Sequence, residues 1–316
     1  MSIISASTLG GLLRQNVIVA LLAAIFVALS VSSRTFLTFP NIANILSQQA
    51  PIMIMAVAAV FVLVAGGLDL SIGAIYGLAG VVTIIATNAA GPAAGVLAGL
   101  GAGLAIGAVN GVLVAYAKIN SLIATVATSF VVVGLTNIAS NSSVVSSTDR
   151  TLSGLAITRF LGLTLPTWIA FVIIIIGAVI LARSPYGRRV YATGGNETAA
   201  WLSGVNTRLI RASTFALSGA AAGVAGLLSA ALVSTAQVGT GSGLEFTVLT
   251  GVVVGGVSIL GGAGVVWRGV TGVLLLALIG NGSDQLGLDP LYKSMLLGAI
   301  LLAAVGTDAW ARQRRG

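Results

Sequence analysis

The chain of 316 residues is 57% hydrophobic and 7% charged, with a formal net charge of +8 and a mean hydropathy of +1.09. A soluble domain carries about 25% charged residues, so this composition cannot maintain a wet surface and lipid is the expected main solvent. Cysteine and histidine are both absent, which excludes disulfides, thiol nucleophiles, HExxH metal sites and Ser-His catalysis. No catalytic, cofactor-binding or metal-ligating residue is expected.

In chain order, the apolar runs predict an all-α polytopic membrane protein of ten spans. They fall near 16–32, 41–65, 71–88, 92–116, 121–138, 165–182, 211–234, 244–261, 265–282 and 291–308. Most are long enough to cross about 30 Å of hydrocarbon, and too long for barrel strands of about ten alternating residues. The first, Val17 to Val31, is followed by "SSRTFLTFPN" without an A-x-A cleavage site, so it reads as an uncleaved span. Pro51 predicts a kink in the second. The eighth, "LEFTVLTGVVVGGVSILG", is short and glycine-rich, which predicts a broken or partly re-entrant element.

The basic residues orient the chain. With both termini in the cytoplasm, the inner side receives Arg14, Lys118, Arg183, Arg188, Arg189, Arg208, Arg211, Arg268, Arg312, Arg314 and Arg315. The outer side receives only Arg34, Arg150, Arg159 and Lys293. This is a clear positive-inside bias, and charges spread in this way suit a membrane rather than a nucleic acid. The whole chain reads as one transmembrane domain, with its longest outer loop at 139–164 and its longest inner loop at 183–210. None of the four tryptophans falls in mid-span: Trp168 and Trp310 lie at span ends, Trp201 and Trp267 in inner loops.

Glycine contributes 42 residues, about twice the ordinary usage. Gly95, Gly99, Gly103, Gly107 and Gly111 recur every fourth residue in the fourth span. They form a smooth ridge on one helix face, where a second backbone can approach closely. "SGAAAGVAG" at 218–226 and "GVVVGGVSILGGAG" at 251–264 read the same way.

Three motifs interrupt the spans. In "AGGLDLSIGA", Gly66 and Gly67 end the second span, and Asp69 or Ser71 offers an oxygen to cap the third. Besides a plain interfacial cap, Asp69 and Ser71 are candidates for a gate or a contact with a cytosolic partner. After Lys118, Ser121, Thr125 and Thr128 share one helix face; such hydroxyls bond across helices or back to carbonyls, with a solute path as the alternative.

The third motif is "GGNETAAWLSG". Asn196 is a good N-cap, Glu197 suits the first turn, and Gly204 is a suitable C-cap. A helix of about two turns follows, marginal unless it packs on something. It either lies on anionic lipid, helped by the flanking arginines, or docks a cytosolic partner through Trp201 and Leu202. The two lysines, in "YAKI" and "LYKS", lie outside any GxxxxGK[ST] loop, so ATP hydrolysis would need another chain.

With these motifs in hand, the chain resembles the membrane permease subunit of bacterial ABC importers for ribose, xylose and related sugars. The resemblance is carried by "GGLDLSIGA", "NGVLVAYAKINSLIATVATS", "YGRRVYATGGNETAAWLSGV", "LSGAAAGVAG" and "VVVGGVSILGGAGVVWRGVTGVLLLALIGNG", in the family's order. The family usually continues its lysine motif with Ile-Pro, where this chain has Asn120. The resemblance implies a fold similar to the vitamin B12 importer, a second permease copy or paralogue, and an extracytoplasmic sugar-binding protein. It also implies a separate ATP-binding cassette protein, which would hold ATP and Mg. Its coupling helix maps onto Asn196, Glu197, Ala199, Ala200, Trp201, Leu202 and Gly204, and its home is the bacterial inner membrane.

Other readings are a permease for branched-chain amino acids or nucleosides, or an ion-coupled secondary transporter. The latter usually needs ionisable groups near the midplane, whereas every acid here maps near a span end or in a loop. Gln48, Gln49, Asn88, Asn110, Asn137 and Asn281 could line a sugar path or bond helix to helix.

Overall fold

The computed structural model describes residues 17–285 together with Gly287, Met295, Gly298, Ala299 and Leu302. Apart from four of those residues, the expected tenth span lies outside the described residues, as do Arg14, Lys293, Trp310 and the "RQRR" tail. The described chain is almost entirely helical. In order it forms α1 (Val17–Ser32), α2 (Phe39–Val64), α3 (Ile72–Ala90), α4 (Pro92–Ala115) and α5 (Ser121–Ser140). There follow β1 (Val145–Ser146), α6 (Arg150–Ile157), β2 (Arg159–Phe160), β3 (Leu163–Thr164), α7 (Leu165–Arg183), α8 (Pro185–Gly195) and α9 (Glu197–Leu202). The chain continues through α10 (Thr207–Val233), β4 (Thr235–Ala236), α11 (Leu244–Val254) and α12 (Val266–Gln285).

Among the described residues, seven helices are long and apolar enough to cross a membrane: α2, α3, α4, α5, α7, α10 and α12. The chain is a multi-pass membrane protein. Proline sits in the first turn of α2, α4, α7 and α8, where its missing N–H leaves no helical bond unmade. Pro51 lies inside α2, which continues through it.

The centre of the bundle is α2, whose Met53, Ile54 and Val60 are fully buried. On one side α3, α4 and α10 pack together; on the other, α7, α11 and α12 close over α2. The glycine ridge explains the first group. A methyl group at Gly103 would overlap Gly219 and Gly223 of α10, one at Gly107 would overlap Phe215 and Gly219, and one at Gly95 would overlap Thr87 of α3. Only bare backbone lets these three helices come so close, and in lipid such close packing replaces the hydrophobic drive.

The expected outer loop 139–164 is folded rather than irregular. Asp149 caps α6 by accepting the Thr151 N–H at 2.7 Å. β1 pairs antiparallel with β4, Val145 opposite Ala236. β2 and β3 form a hairpin across Leu161 and Gly162, both at positive φ, as a two-residue turn that follows the strand twist requires. Trp168 donates its indole N–H to the Phe160 carbonyl at 3.0 Å and so fastens the hairpin to α7.

The eighth expected span is broken. Its helical part is only α11, and residues 237–243 before it run in turns and extended chain. That stretch follows α3: a methyl at Gly241 would overlap the Gly73 carbonyl, and Ala236 lies beside Gly80.

Candidate functional site

The loop after α7 builds the most distinctive surface of the molecule. Ser184 accepts the Gly187 N–H at 3.0 Å and starts α8, a helix that the glycines at 187, 194 and 195 obscure in the sequence. Two tyrosines hold it down: Tyr186 shares a hydrogen bond with Ser213 of α10 at 2.7 Å, and Tyr191 donates to the Gly264 carbonyl at 2.6 Å. The Asn196 side chain then accepts the Ala199 N–H at 2.9 Å, which is the expected cap of α9. Gly204 follows at φ +83° and turns the chain back.

Of the residues expected in this helix, Ala200 is buried against the bundle, while Ala199, Trp201 and Leu202 face outward. Trp201 is 64% exposed and Leu202 72%, with exposed Leu209 of α10 nearby in sequence. These apolar side chains sit on a segment that also exposes Arg183, Arg188, Arg189 and Arg208. Glu197 forms a two-pronged pair with Arg211, Nη2 to Oε2 at 2.9 Å and Nη1 to Oε1 at 3.2 Å. The acid is 46% exposed, so the pair contributes about 0.2–1 kcal/mol at most; what it adds is a fixed orientation of α9 on α10.

Behind α9 the backbone makes a junction of three segments. Gly194 and Gly195 at the end of α8 press on Val64, where α2 ends, and on Gly262, while Gly261 presses on Gly66. The Gly262 N–H donates to the Val64 carbonyl at 2.9 Å. A methyl at Gly194 would overlap that same carbonyl. The end of α8 is therefore in direct backbone contact with the end of α2 and with the segment that follows α11.

From this junction residues 66–71 run back into the bundle without helical structure. Their backbone donors are met by the hydroxyl face of α5: Leu68 N–H donates to Ser121 and Leu70 N–H to Thr125, each at 3.1 Å. Thr125 in turn donates to the Ser121 carbonyl at 2.8 Å. Thr125→Val would leave the Leu70 N–H unpaired. We expect a stability loss of about 1–3 kcal/mol, read as a lower thermal midpoint of the purified protein in detergent.

Asp69 and Ser71 stand immediately before α3. Ser71 is fully buried, and Asp69 Oδ1 accepts both its N–H at 2.9 Å and its hydroxyl at 2.6 Å. Ser71 accepts from the buried Asn110 amide at 2.8 Å, so Asn110 is committed to this network. Asp69 Oδ2 is buried, with no hydrogen bond of normal geometry among the described residues. The side chain of Ser71 does not cap α3; the Asp69 carboxylate instead accepts the N–H of Ser71, the residue before the helix. Three of the other amides are also occupied: Asn88 bonds Ser146 and Thr148, Asn137 bonds Val133 and Ser142, and Asn281 pairs with Asn41.

Glu245 is the residue sequence reasoning missed. It lies in the first turn of α11, and its Oε1 accepts the Gly243 N–H at 3.2 Å. A methyl at Gly73 would overlap its Oε2, which places it less than one turn from Tyr76 on α3. The Tyr76 carbonyl packs on Gly226, about 28 Å along an α10 of about 40 Å. Glu245 thus stands half-buried against α3 in the first turn of α11. Asp69 and Glu245 line one small cavity together, each beside a helix start, as expected from the sequence. The signal available beforehand was an acid directly behind three closely spaced glycines, at 239, 241 and 243.

A cavity of about 610 Å³ between α2, α7 and α10 has an almost wholly apolar lining. A second, of about 340 Å³, is walled by α3, α5 and residues 238–246 and has Ser129, Ser242 and Glu245 on its walls.

Residues 41–305 match the family described as branched-chain amino acid transport system / permease component. The chain belongs to this permease family. The permease is 35% identical to the ribose import permease protein of Escherichia coli K12 over 305 residues, 94% of each chain. It is 33% identical to the L-arabinose transport system permease protein of the same organism over 312 residues, 98% of this chain and 95% of the other. With the ribose import permease protein of Bacillus subtilis it shares 33% over 285 residues, 89% and 88% of the two chains. No solved structure gives a significant match. The permease is a transport component rather than an enzyme.

Proposed function

We propose that this permease is the membrane subunit of an ATP-driven, binding-protein-dependent ABC importer for a monosaccharide of the ribose or L-arabinose type. The observation that carries the reading is α9: a capped, six-residue helix that holds Trp201 and Leu202 out of the bundle. Its root is a glycine junction joined to α2 and α11. Such a helix is a lever without a motor, and its natural motor is a separate ATP-binding cassette protein in the cytoplasm. The substrate class is supported by what the similar permeases are named for.

In this reading the chain resides in a bacterial inner membrane with both termini in the cytoplasm, and two copies, or this chain and a paralogue, share the path. An extracytoplasmic sugar-binding protein docks on the folded outer segment around α6 and the β2–β3 hairpin. Closure of the cassettes pushes Trp201 and Leu202. The push reaches Gly194, then Val64, Gly66 and Gly262, and shifts the unwound 66–71 segment against α11. Neutral solute then moves inward as the bundle halves rock.

The test is uptake into proteoliposomes holding the permease with its cassette protein and sugar-binding protein. Uptake of labelled ribose or arabinose is expected to require ATP and to survive a proton ionophore. Uptake that stops with the ionophore and ignores ATP would establish the ion-coupled carrier, for which Asp69 and Glu245 are the groups at hand. Uptake of leucine or a nucleoside in place of both sugars would reassign the substrate class.

A further inference from the structure

Between α3, α5 and the unwound chain before α11 the permease keeps a half-open pocket, mostly apolar in lining, with a few polar groups on its walls. Its volume of about 340 Å³ equals that of roughly ten liquid waters and suits a small hydrated solute. Two features make it a built site rather than a packing fault. Gly73 and Gly77 strip the facing surface of α3, and at Gly73 the missing side chain makes room for the Glu245 carboxylate. Glu245 has no cationic partner among the described residues, and its Oε1 takes only the Gly243 N–H.

The Glu245 carboxyl offers hydrogen-bond acceptors to the pocket, and a solute rich in hydroxyl donors matches them. Ser242 and Ser129 stand on the same walls, and the exposed rings of Phe130 and Phe246 offer flat apolar faces beside them. A pyranose or furanose presents that combination, hydroxyls at its rim and C–H groups on its faces.

We propose that this pocket is a hydroxyl-binding subsite on the solute path, with Glu245 as its principal acceptor. The inference rests on the importer reading and adds to it the place and chemistry of one contact. Ser242 and Ser129 complete the polar wall. Because α11 begins at the subsite and ends near the glycine junction, drive-stroke motion of that junction would open or close the Glu245 contact.

The absence of cysteine from the chain allows a readout that needs no substrate. In the assembled importer, Ser242→Cys is expected to react with a membrane-impermeant charged methanethiosulfonate at least tenfold faster than Val172→Cys, an exposed position on α7. Equal inertness of the two would overturn the pocket as part of a wet path. In uptake, Glu245→Ala is expected to lose at least tenfold in the maximal rate of ribose or arabinose import while ATP hydrolysis persists. Glu245→Gln, which keeps shape and one acceptor, is expected to lose two- to threefold and guards against a folding defect. If Glu245→Ala imports within twofold of wild type, Glu245 is not the acceptor. Should wild type import neither sugar, the substrate class falls, and Ser242→Cys reactivity still decides whether the pocket lies on a water-filled path.

Discussion

Trp201→Asp is expected to abolish ATP-driven uptake, by about 100-fold or more, in a permease that still inserts and purifies. Trp201 is 64% exposed on a helix whose buried side is Ala200, so the folded chain loses little when it is replaced. A buried aromatic anchor at a protein interface is worth about 2–4 kcal/mol. An aspartate in its place also brings a charge that the interface would have to desolvate. With two such contacts in a paired importer the losses compound. The measurement compares uptake, substrate-stimulated ATP hydrolysis and co-purification of the cassette protein. Trp201→Phe, which keeps the apolar ring, is expected to retain most of each. Undiminished uptake by Trp201→Asp would move the docking surface away from α9, and the Glu197–Arg211 pair would then be a structural brace alone.

The second large effect is expected at the α4–α10 contact. Gly219→Leu should prevent accumulation of folded permease or lower its thermal midpoint sharply. Gly103 and Gly219 press backbone on backbone, and a methyl at either overlaps the other's carbonyl. Overfilling a packed site by single methylenes already costs about 1–3 kcal/mol; here the intruding group meets main chain, which cannot rotate away. Gly101→Leu is the matched comparison, because that glycine is on the same α4 with open space before it. It is expected to change stability by no more than about 0.5 kcal/mol. Equal tolerance at the two positions would mean that the helices are not in backbone contact.

Both predictions begin from features legible before any coordinates. The four-residue glycine spacing of α4 marks a face by helical periodicity alone, and that face is the one buried. The α9 helix was readable because Asn196, Glu197 and Gly204 are local signals whose physics involves only neighbouring backbone groups. Its companion α8 was not, because Gly187, Gly194 and Gly195 argue locally for a loop; Tyr186 and Tyr191 override that preference through bonds to distant residues. The hydroxyl face of Ser121 and Thr125 was visible as a pattern, yet its partner, the unwound backbone at Leu68 and Leu70, could not be named.

The sequence by itself determined the solvent, the spanning helices, the glycine face and the outward helix, since each depends on composition or on residues within a turn or two. Tertiary structure alone decided what the unwound segments rest on. Counting along the chain puts Asp69 and Glu245 at helix starts, where they stand, but does not show the unwound segments before them or the neighbours those segments meet. Those segments persist because neighbouring helices supply their missing hydrogen bonds and because glycine lets them lie against α3. Lipid offers no partner for such backbone, so an unwound stretch is possible only where the rest of the fold surrounds it, a condition no local pattern encodes.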